Sequence, residues 1–142
     1  MTGPQPLIVV GVDGSPGSQD AVRWAGEQAR LTGAPVRLVG TWRWPNYVTR
    51  VPPGADPAAD TQETVDEALA QARTAHPDVT FTGHVVQGPA GPALLTQAEG
   101  ATLLVVGAQG RAAFPGMLLG SVAEYCVRNG PCPVVVERTL AT

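Results

Sequence analysis

The chain has 142 residues, of which 44% are hydrophobic and 15% charged, and its formal net charge is −3 at pH 7. This size and balance predict one folded domain over residues 1–142, and the lack of a basic cluster argues against a protein that binds duplex nucleic acid. All nine positively charged residues are arginines, so a Walker P-loop and a Schiff-base lysine are both excluded.

The chain shows no leader peptide and no run of about 18 apolar residues, which predicts a soluble, cytoplasmic protein. Cys126 and Cys132 are the two cysteines, six residues apart and without a histidine at zinc-ligand spacing. We therefore expect two reduced thiols and no metal site.

The chain begins with a strand, a helix and a second strand. An apolar run over residues 7–12 predicts a strand buried on both faces. Ser15 or Ser18 is expected to cap the helix that follows, and Gly33 to end it. Residues 36–42 then predict the second strand.

A proline-rich, irregular loop over residues 43–57 separates the second strand from the second helix. Asp56 provides a cap for that helix, which is expected to continue to about Ala75. Alternating polarity over residues 79–86 predicts the third strand.

The last third of the chain repeats the alternation of strands and helices. A short helix is expected within residues 88–100 and an apolar strand over 102–106. After a glycine-patterned loop, we expect a helix over 121–129 and a final strand over 133–136. Strands that alternate with helices predict a parallel sheet covered on both faces, with a ligand site beyond the carboxyl ends of the strands.

The loop after the fourth strand is suited to an anion. Gly107 and Gly110 leave the backbone accessible, and the Gly120-Ser121 pair begins a helix whose N–H groups and dipole favour a phosphate. Arg111 adds a cation within the loop. The alternative is an irregular connection in which glycine serves the turns alone.

Asp13 follows the first strand and is the second candidate for ligand contact. A carboxylate at this position can accept hydrogen bonds from a ribose, as acids beyond strands do in nucleotide folds. By itself, a turn or helix-cap aspartate is the more economical interpretation. If the first and fourth strands are neighbours, Asp13 faces the glycine loop, and nucleotide binding becomes the better explanation.

Little in the sequence indicates catalysis. No acidic residue lies between Gly107 and Val122, and phosphoryl transfer requires metal ligands. His76 and His84 are interpreted as surface or sheet histidines. The aromatic residues beyond the second strand (Trp42, Trp44 and Tyr47) can form a lid over a base, anchor the loop or contact a partner.

Several segments of the sequence resemble the universal stress protein family over residues 7–138. They are Ile8-Val-Val-Gly-Val-Asp-Gly-Ser15, Val86-Gln-Gly-Pro-Ala90, Leu103-Leu-Val-Val-Gly-Ala-Gln-Gly-Arg111, Leu118-Leu-Gly-Ser-Val122 and Pro131-Cys-Pro-Val-Val-Val136. The family's ATP-binding subclass carries G-x2-G-x9-G-S/T, which Gly107, Gly110, Gly120 and Ser121 complete here.

The resemblance implies a three-layer, Rossmann-like α/β fold with a five-stranded parallel sheet in the order 3-2-1-4-5. It implies ATP as ligand, with or without Mg²⁺, and no catalytic residue. On the adenosine side it implies contacts from Gly11, Val12, Asp13, Gly14 and Thr41, although an apolar residue is common at the last position. Around the phosphates it implies Val106, Gly107, Gln109, Gly110, Arg111, Gly120, Ser121 and Val122.

The resemblance also implies a homodimer formed through the last strand, at about Cys132–Glu137, since an exposed strand edge is a natural pairing surface. It further implies an ATP-dependent regulatory module in the stress response, with an unidentified protein partner. A slow ATP hydrolase and a nucleotide-independent interaction scaffold remain the two alternatives.

Overall fold

The structure is a computed structural model, and it describes residues 5–44, 52–111 and 113–138. Within these residues, strands and helices alternate along the chain. The strands are β1 (Ile8–Gly11), β2 (Val36–Trp42), β3 (Phe81–Gln87), β4 (Leu103–Gly107) and β5 (Val134–Glu137). The helices are α1 (Pro16–Thr32), α2 (Pro57–Ala75), α3 (Ala90–Gln97) and α4 (Ser121–Asn129).

The strands form one parallel sheet in the order β3-β2-β1-β4-β5, which confirms the predicted fold. β1 lies at the centre, with Ile8 opposite Val36 of β2 on one side and Leu103 of β4 on the other. The strand order therefore reverses between β1 and β4, where ligands bind in open α/β sheets.

The local signals at the helix ends act as predicted. The Ser15 hydroxyl accepts the Ser18 N–H at the start of α1, and Gly33 ends that helix with φ of 80°. The Asp56 carboxylate accepts the Ala59 N–H at the start of α2. The third strand begins at Phe81, two residues later than predicted, because the Val79 N–H donates to the His76 carbonyl in a turn.

Two apolar layers hold the sheet between its helices. Ile8 and Val10 of β1 face α1 and α2, whereas Val9 faces α3 and α4. All three side chains are buried because a central parallel strand is covered on both faces. No helix in the described part of the chain is long and apolar enough to cross a membrane.

Candidate functional site

The predicted site residues converge at the carboxyl ends of β1 and β4. A cavity of about 240 Å³ lies there, and twelve of the thirteen predicted residues line it. They are Gly11, Val12, Asp13, Thr41, Val106, Gly107, Gln109, Gly110, Arg111, Gly120, Ser121 and Val122. The remaining residue, Gly14, lies at a neighbouring groove.

The turn after β1 fixes the position of the Asp13 carboxylate. Its Oδ1 accepts the Ser15 N–H at 2.9 Å, and the Asp13 N–H donates to the Ser18 hydroxyl at 3.3 Å. Gly14 has φ of 81°, a conformation that L residues rarely adopt. Asp13 therefore takes part in a turn, which was one of the two interpretations of the sequence. Its second carboxylate oxygen, Oδ2, lies outside that turn.

That second oxygen faces the glycine loop. A Cβ added to Gly110 would lie 2.7 Å from the Asp13 Oδ2. The carboxylate and the Gly110 backbone therefore meet across the crevice between β1 and β4, as expected if the two strands were neighbours.

The start of the glycine loop packs against the start of α1 through backbone atoms. A Cβ on Gly107 would lie 2.6 Å from the carbonyl carbon of Gly17, and one on Gly17 would lie 2.6 Å from the Gln109 carbonyl oxygen. Neither position has room for a side chain. Gly17 was not predicted as a site residue, because its importance depends on a contact some 90 residues along the chain.

The end of the loop brings the start of α4 to the cavity. The Gly120 N–H donates to the Ala108 carbonyl at 2.6 Å, and no side chain caps the helix at this residue. The first N–H groups of a helix lack partners within it, so Ser121 and Val122 offer donors at the cavity wall. The Gln109 side chain donates to the Met117 carbonyl and ties the loop together.

The inner wall of the cavity is apolar, and its residues were not among those predicted from the sequence. Val39 and Leu94 are 1% and 3% exposed and both line the cavity, together with Ala123. A Cβ on Gly11 would lie 2.9 Å from a Leu94 methyl group, so a glycine here keeps the wall close. Residues from β2, α3 and α4 meet only in the folded chain, which is why no local motif reveals this wall.

Two of the three aromatic residues at the end of β2 and after it contact each other. The rings of Trp42 and Trp44 are 6.3 Å apart and nearly perpendicular. Trp42 lines a shallow cleft beside the main cavity together with Tyr125. Tyr47 lies outside the described residues, and the roles as lid, anchor or partner contact stay predictions.

The interpretation of His76 as a surface or sheet histidine is wrong. Its side chain is 9% exposed, and a Cβ on Gly26 of α1 would lie 2.4 Å from its Cδ2. The imidazole fills the space that a glycine leaves between α1 and α2, with Nδ1 3.8 Å from a Glu27 oxygen. His84 lies on β3 and is exposed, as predicted.

Both thiols are free, and neither is activated. Burial raises the pKa of Cys126 to about 11, and the nearby Cys132 contributes in the same direction. Burial also raises the pKa of Cys132. A raised pKa disfavours the thiolate, so these cysteines are poor nucleophiles at neutral pH.

Comparison with known sequences gives one consistent family. Residues 7–138 match the sequence model of the universal stress protein family. A universal stress protein of Mycobacterium tuberculosis is 36% identical over 143 residues, covering 91% of this chain and 46% of the relative. One from Mycolicibacterium smegmatis is 37% identical over 136 residues, covering 92% and 45%. The chain thus spans less than half the length of these relatives.

Comparison with solved structures agrees. A universal stress protein crystallised in complex with cAMP is 29% identical, with a TM-score of 0.74, covering 97% of this chain and all of the other. One from Archaeoglobus fulgidus is 25% identical with a TM-score of 0.77, covering 94% and 98%. A structure from the same organism in complex with dAMP is 23% identical with a TM-score of 0.72, covering 95% and 99%, and supports the fold alone.

Proposed function

Since this chain belongs to the universal stress protein family, we propose that it binds ATP in the cavity between β1 and β4 and acts as a nucleotide-dependent regulatory module of the stress response. In this proposal residues 1–142 act as one nucleotide-binding domain. The observation that carries it is the Asp13 carboxylate facing Gly110 at the point where the strand order reverses.

The cavity offers a different chemistry to each part of a nucleotide. The buried wall of Val39 and Leu94 suits the faces of an adenine ring. Asp13 can accept hydrogen bonds from the ribose hydroxyls. The start of α4 and the exposed Arg111 suit the phosphates, because helix N–H groups and a guanidinium both favour anions.

Two further observations support an adenine nucleotide. The structural relative that is 29% identical was crystallised with cAMP, an adenine nucleotide. The complete G-x2-G-x9-G-S spacing from Gly107 to Ser121 favours a ligand with a longer phosphate chain, such as ATP. Asp13 is the one carboxylate among the described residues lining the cavity. Mg²⁺ would therefore be held mainly by the phosphates of ATP.

A slow ATP hydrolase is the second candidate, and a nucleotide-independent scaffold is the third. The described residues lining the cavity supply one arginine and three serines but no histidine, so Asp13 is the candidate among them for a general base in attack by water. Phosphate release above background that is lost in Asp13→Ala would favour the hydrolase. Release at the background rate from a protein that binds ATP favours the regulatory module.

We further propose a cytoplasmic homodimer formed through β5. Residues 134–137 pair with β4 on one side and are all partly exposed, which leaves the strand's other edge available for an antiparallel copy. The pairing surface would extend over Cys132–Glu137. Two free cysteines fit a reducing compartment. Analytical ultracentrifugation tests the dimer, and a monomer at micromolar concentration would contradict it.

Thermal unfolding with and without Mg-ATP tests nucleotide binding. A ligand at about 100 times its Kd stabilises the native state by about 2.7 kcal/mol, so we expect a Tm increase of roughly 5–10 °C. Gly120→Val should abolish the increase, because a Cβ there already lies 3.2 Å from the Ala108 carbonyl oxygen and the branches extend beside the phosphate path. Ala70→Val, an exposed change on α2, is the control and should retain the increase. No shift in the unaltered protein at millimolar Mg-ATP would refute the proposal.

A further inference from the structure

A second cavity lies between α1 and α2, on the opposite face of the sheet from the apolar wall of the nucleotide cavity. Its volume is about 370 Å³, within the range of about 300–1,000 Å³ that is typical of small-molecule sites. We call it the interhelical groove and define it by Val22 and Arg23 of α1, Ala68, Gln71 and Ala72 of α2, and Asp13 at its mouth. It is larger than the nucleotide cavity, whose volume is about 240 Å³.

The groove exists because α2 presents small side chains to α1. Ala68, Ala72 and Ala75 recur at helical spacing along its wall, and His76 lines it at the end of α2. The residues of α2 that line it extend from Thr64 to Ala75, and eleven steps of 1.5 Å give a length of about 16 Å. A site of this shape suits an extended chain rather than a compact molecule.

The groove opens directly onto the nucleotide cavity. Four residues line both the groove and the nucleotide cavity, namely Val12, Asp13, Ser18 and Arg111. Asp13 and Arg111 stand where the proposed ribose and phosphate contacts lie, so a chain attached to the phosphates of a bound nucleotide could enter the groove without crossing the protein interior.

The charges of the wall indicate an uncharged occupant. Among the described residues lining the groove, two carboxylates, Asp13 and Glu67, balance two guanidiniums, Arg23 and Arg111. Arg23 also pairs with Asp20 of its own helix. A fatty acid or a second nucleotide would bring net negative charge to a wall that has no net charge to offset it.

The polar groups of the rim indicate amides or hydroxyls in that occupant. Gln19 and Gln71 bring side-chain amides to the lining, which also includes the apolar side chains of Val22, Ala68 and Ala72, whereas the Thr64 hydroxyl donates to the Asp60 carbonyl of its own helix. Side-chain amides both donate and accept hydrogen bonds, and they therefore match peptide-like groups in a ligand. The floor matches methyl and methylene groups.

From the shape, the shared mouth and this lining, we infer that the interhelical groove binds an extended, uncharged, amide-bearing arm attached through the phosphates of an adenine nucleotide. The ligand class is that of pantetheine-bearing adenine nucleotides. This inference rests on the proposed function, because the nucleotide brings the arm to the mouth of the groove. The protein would then distinguish free adenine nucleotides from those that carry the arm.

Calorimetric titration with a matched pair of ligands tests the inference. ADP and dephospho-coenzyme A share the adenosine diphosphate part, and only the second carries the pantetheine arm. We expect dephospho-coenzyme A to bind at least tenfold more tightly than ADP. Ala68→Leu, which fills the floor of the groove, should remove that difference and leave ADP binding unchanged. Ala70→Leu, exposed on the same helix, should preserve the difference.

Gln71→Trp provides a second test at an exposed position that folding tolerates, in case Ala68→Leu fails to fold. It should cover the groove and abolish the advantage of the arm while ADP still binds. Equal affinity for the two ligands in the unaltered protein would overturn the inference and leave the proposed function standing. The same holds if the tenfold advantage survives both groove variants. Failure of both ligands to bind would overturn the inference, and the thermal shift with Mg-ATP then decides whether the proposed function stands.

Discussion

A pair of glycine substitutions in the phosphate loop separates structural crowding from ligand contact. A Cβ at Gly107 meets backbone, 2.6 Å from the Gly17 carbonyl carbon and 2.8 Å from its oxygen. A Cβ at Gly110 meets the Asp13 Oδ2 at 2.7 Å, a side-chain atom that a small rotation of the carboxylate can move while Oδ1 keeps the Ser15 N–H. Neither glycine has positive φ, so alanine fits both backbone conformations.

The two substitutions should change the free energy of unfolding by different amounts. Overpacking against backbone at Gly107→Ala costs about 1–3 kcal/mol, and the stiffer unfolded chain returns about 0.4–1 kcal/mol. We expect a net loss of about 1–2 kcal/mol, or roughly 2–8 °C in Tm for a chain of this size. Gly110→Ala should change the free energy of unfolding by less than about 0.5 kcal/mol, yet weaken ATP binding by displacing the Asp13 carboxylate.

Urea unfolding followed by circular dichroism measures the first effect, and titration calorimetry with ATP measures the second. The two variants have the same added methyl group, so each is the control for the other. If Gly107→Ala is as stable as the unaltered protein, or Gly110→Ala is the less stable of the two, the assignment of these contacts is incorrect.

Three further predictions concern the packing and ionisation of the fold. Gly26→Ala should lower the free energy of unfolding by about 1–3 kcal/mol, because its Cβ would lie 2.4 Å from the His76 ring. In the double variant, His76→Ala should relieve that penalty. If urea unfolding shows instead that the two losses are additive, the contact is contradicted. Ser15→Ala removes the cap of α1 and should cost about 0.5–2 kcal/mol by the same assay, whereas an unchanged midpoint would show that the cap adds nothing. The Cys126 thiol, whose pKa rises from 9.0 to about 11 on burial, binds its proton more tightly in the folded state, so stability should fall between pH 9 and 11 by up to about 2–3 kcal/mol. Cys126→Ala should make that fall smaller, and an equal fall in the variant would assign it to other groups.

Local chemistry explains which parts of the fold could be predicted. The caps at Ser15 and Asp56 and the end of α1 at Gly33 depend on residues within a few positions of each other. The contact between Asp13 and Gly110 was expected on one condition, that β1 and β4 are neighbours, and the strand order meets it. That order came from the family resemblance rather than from spacing or composition.

The parts that could not be predicted depend on contacts between distant segments. His76 is buried because Gly26, fifty residues earlier, leaves room for its ring. Val39 and Leu94 become a cavity wall once β2 and α3 meet over Gly11. The interhelical groove depends on alanines of α2 facing α1, and a sequence read along one helix shows small residues without showing what lies opposite them.

The most direct test of ATP binding between β1 and β4 is amide chemical-shift mapping of the isotope-labelled protein during titration with Mg-ATP. We predict that the largest shifts fall on Gly107, Gly110, Gly120 and Ser121, with the N–H groups at the start of α4 moving as they gain phosphate partners. Unchanged resonances at these four residues, while others shift or none do, would contradict binding at this site.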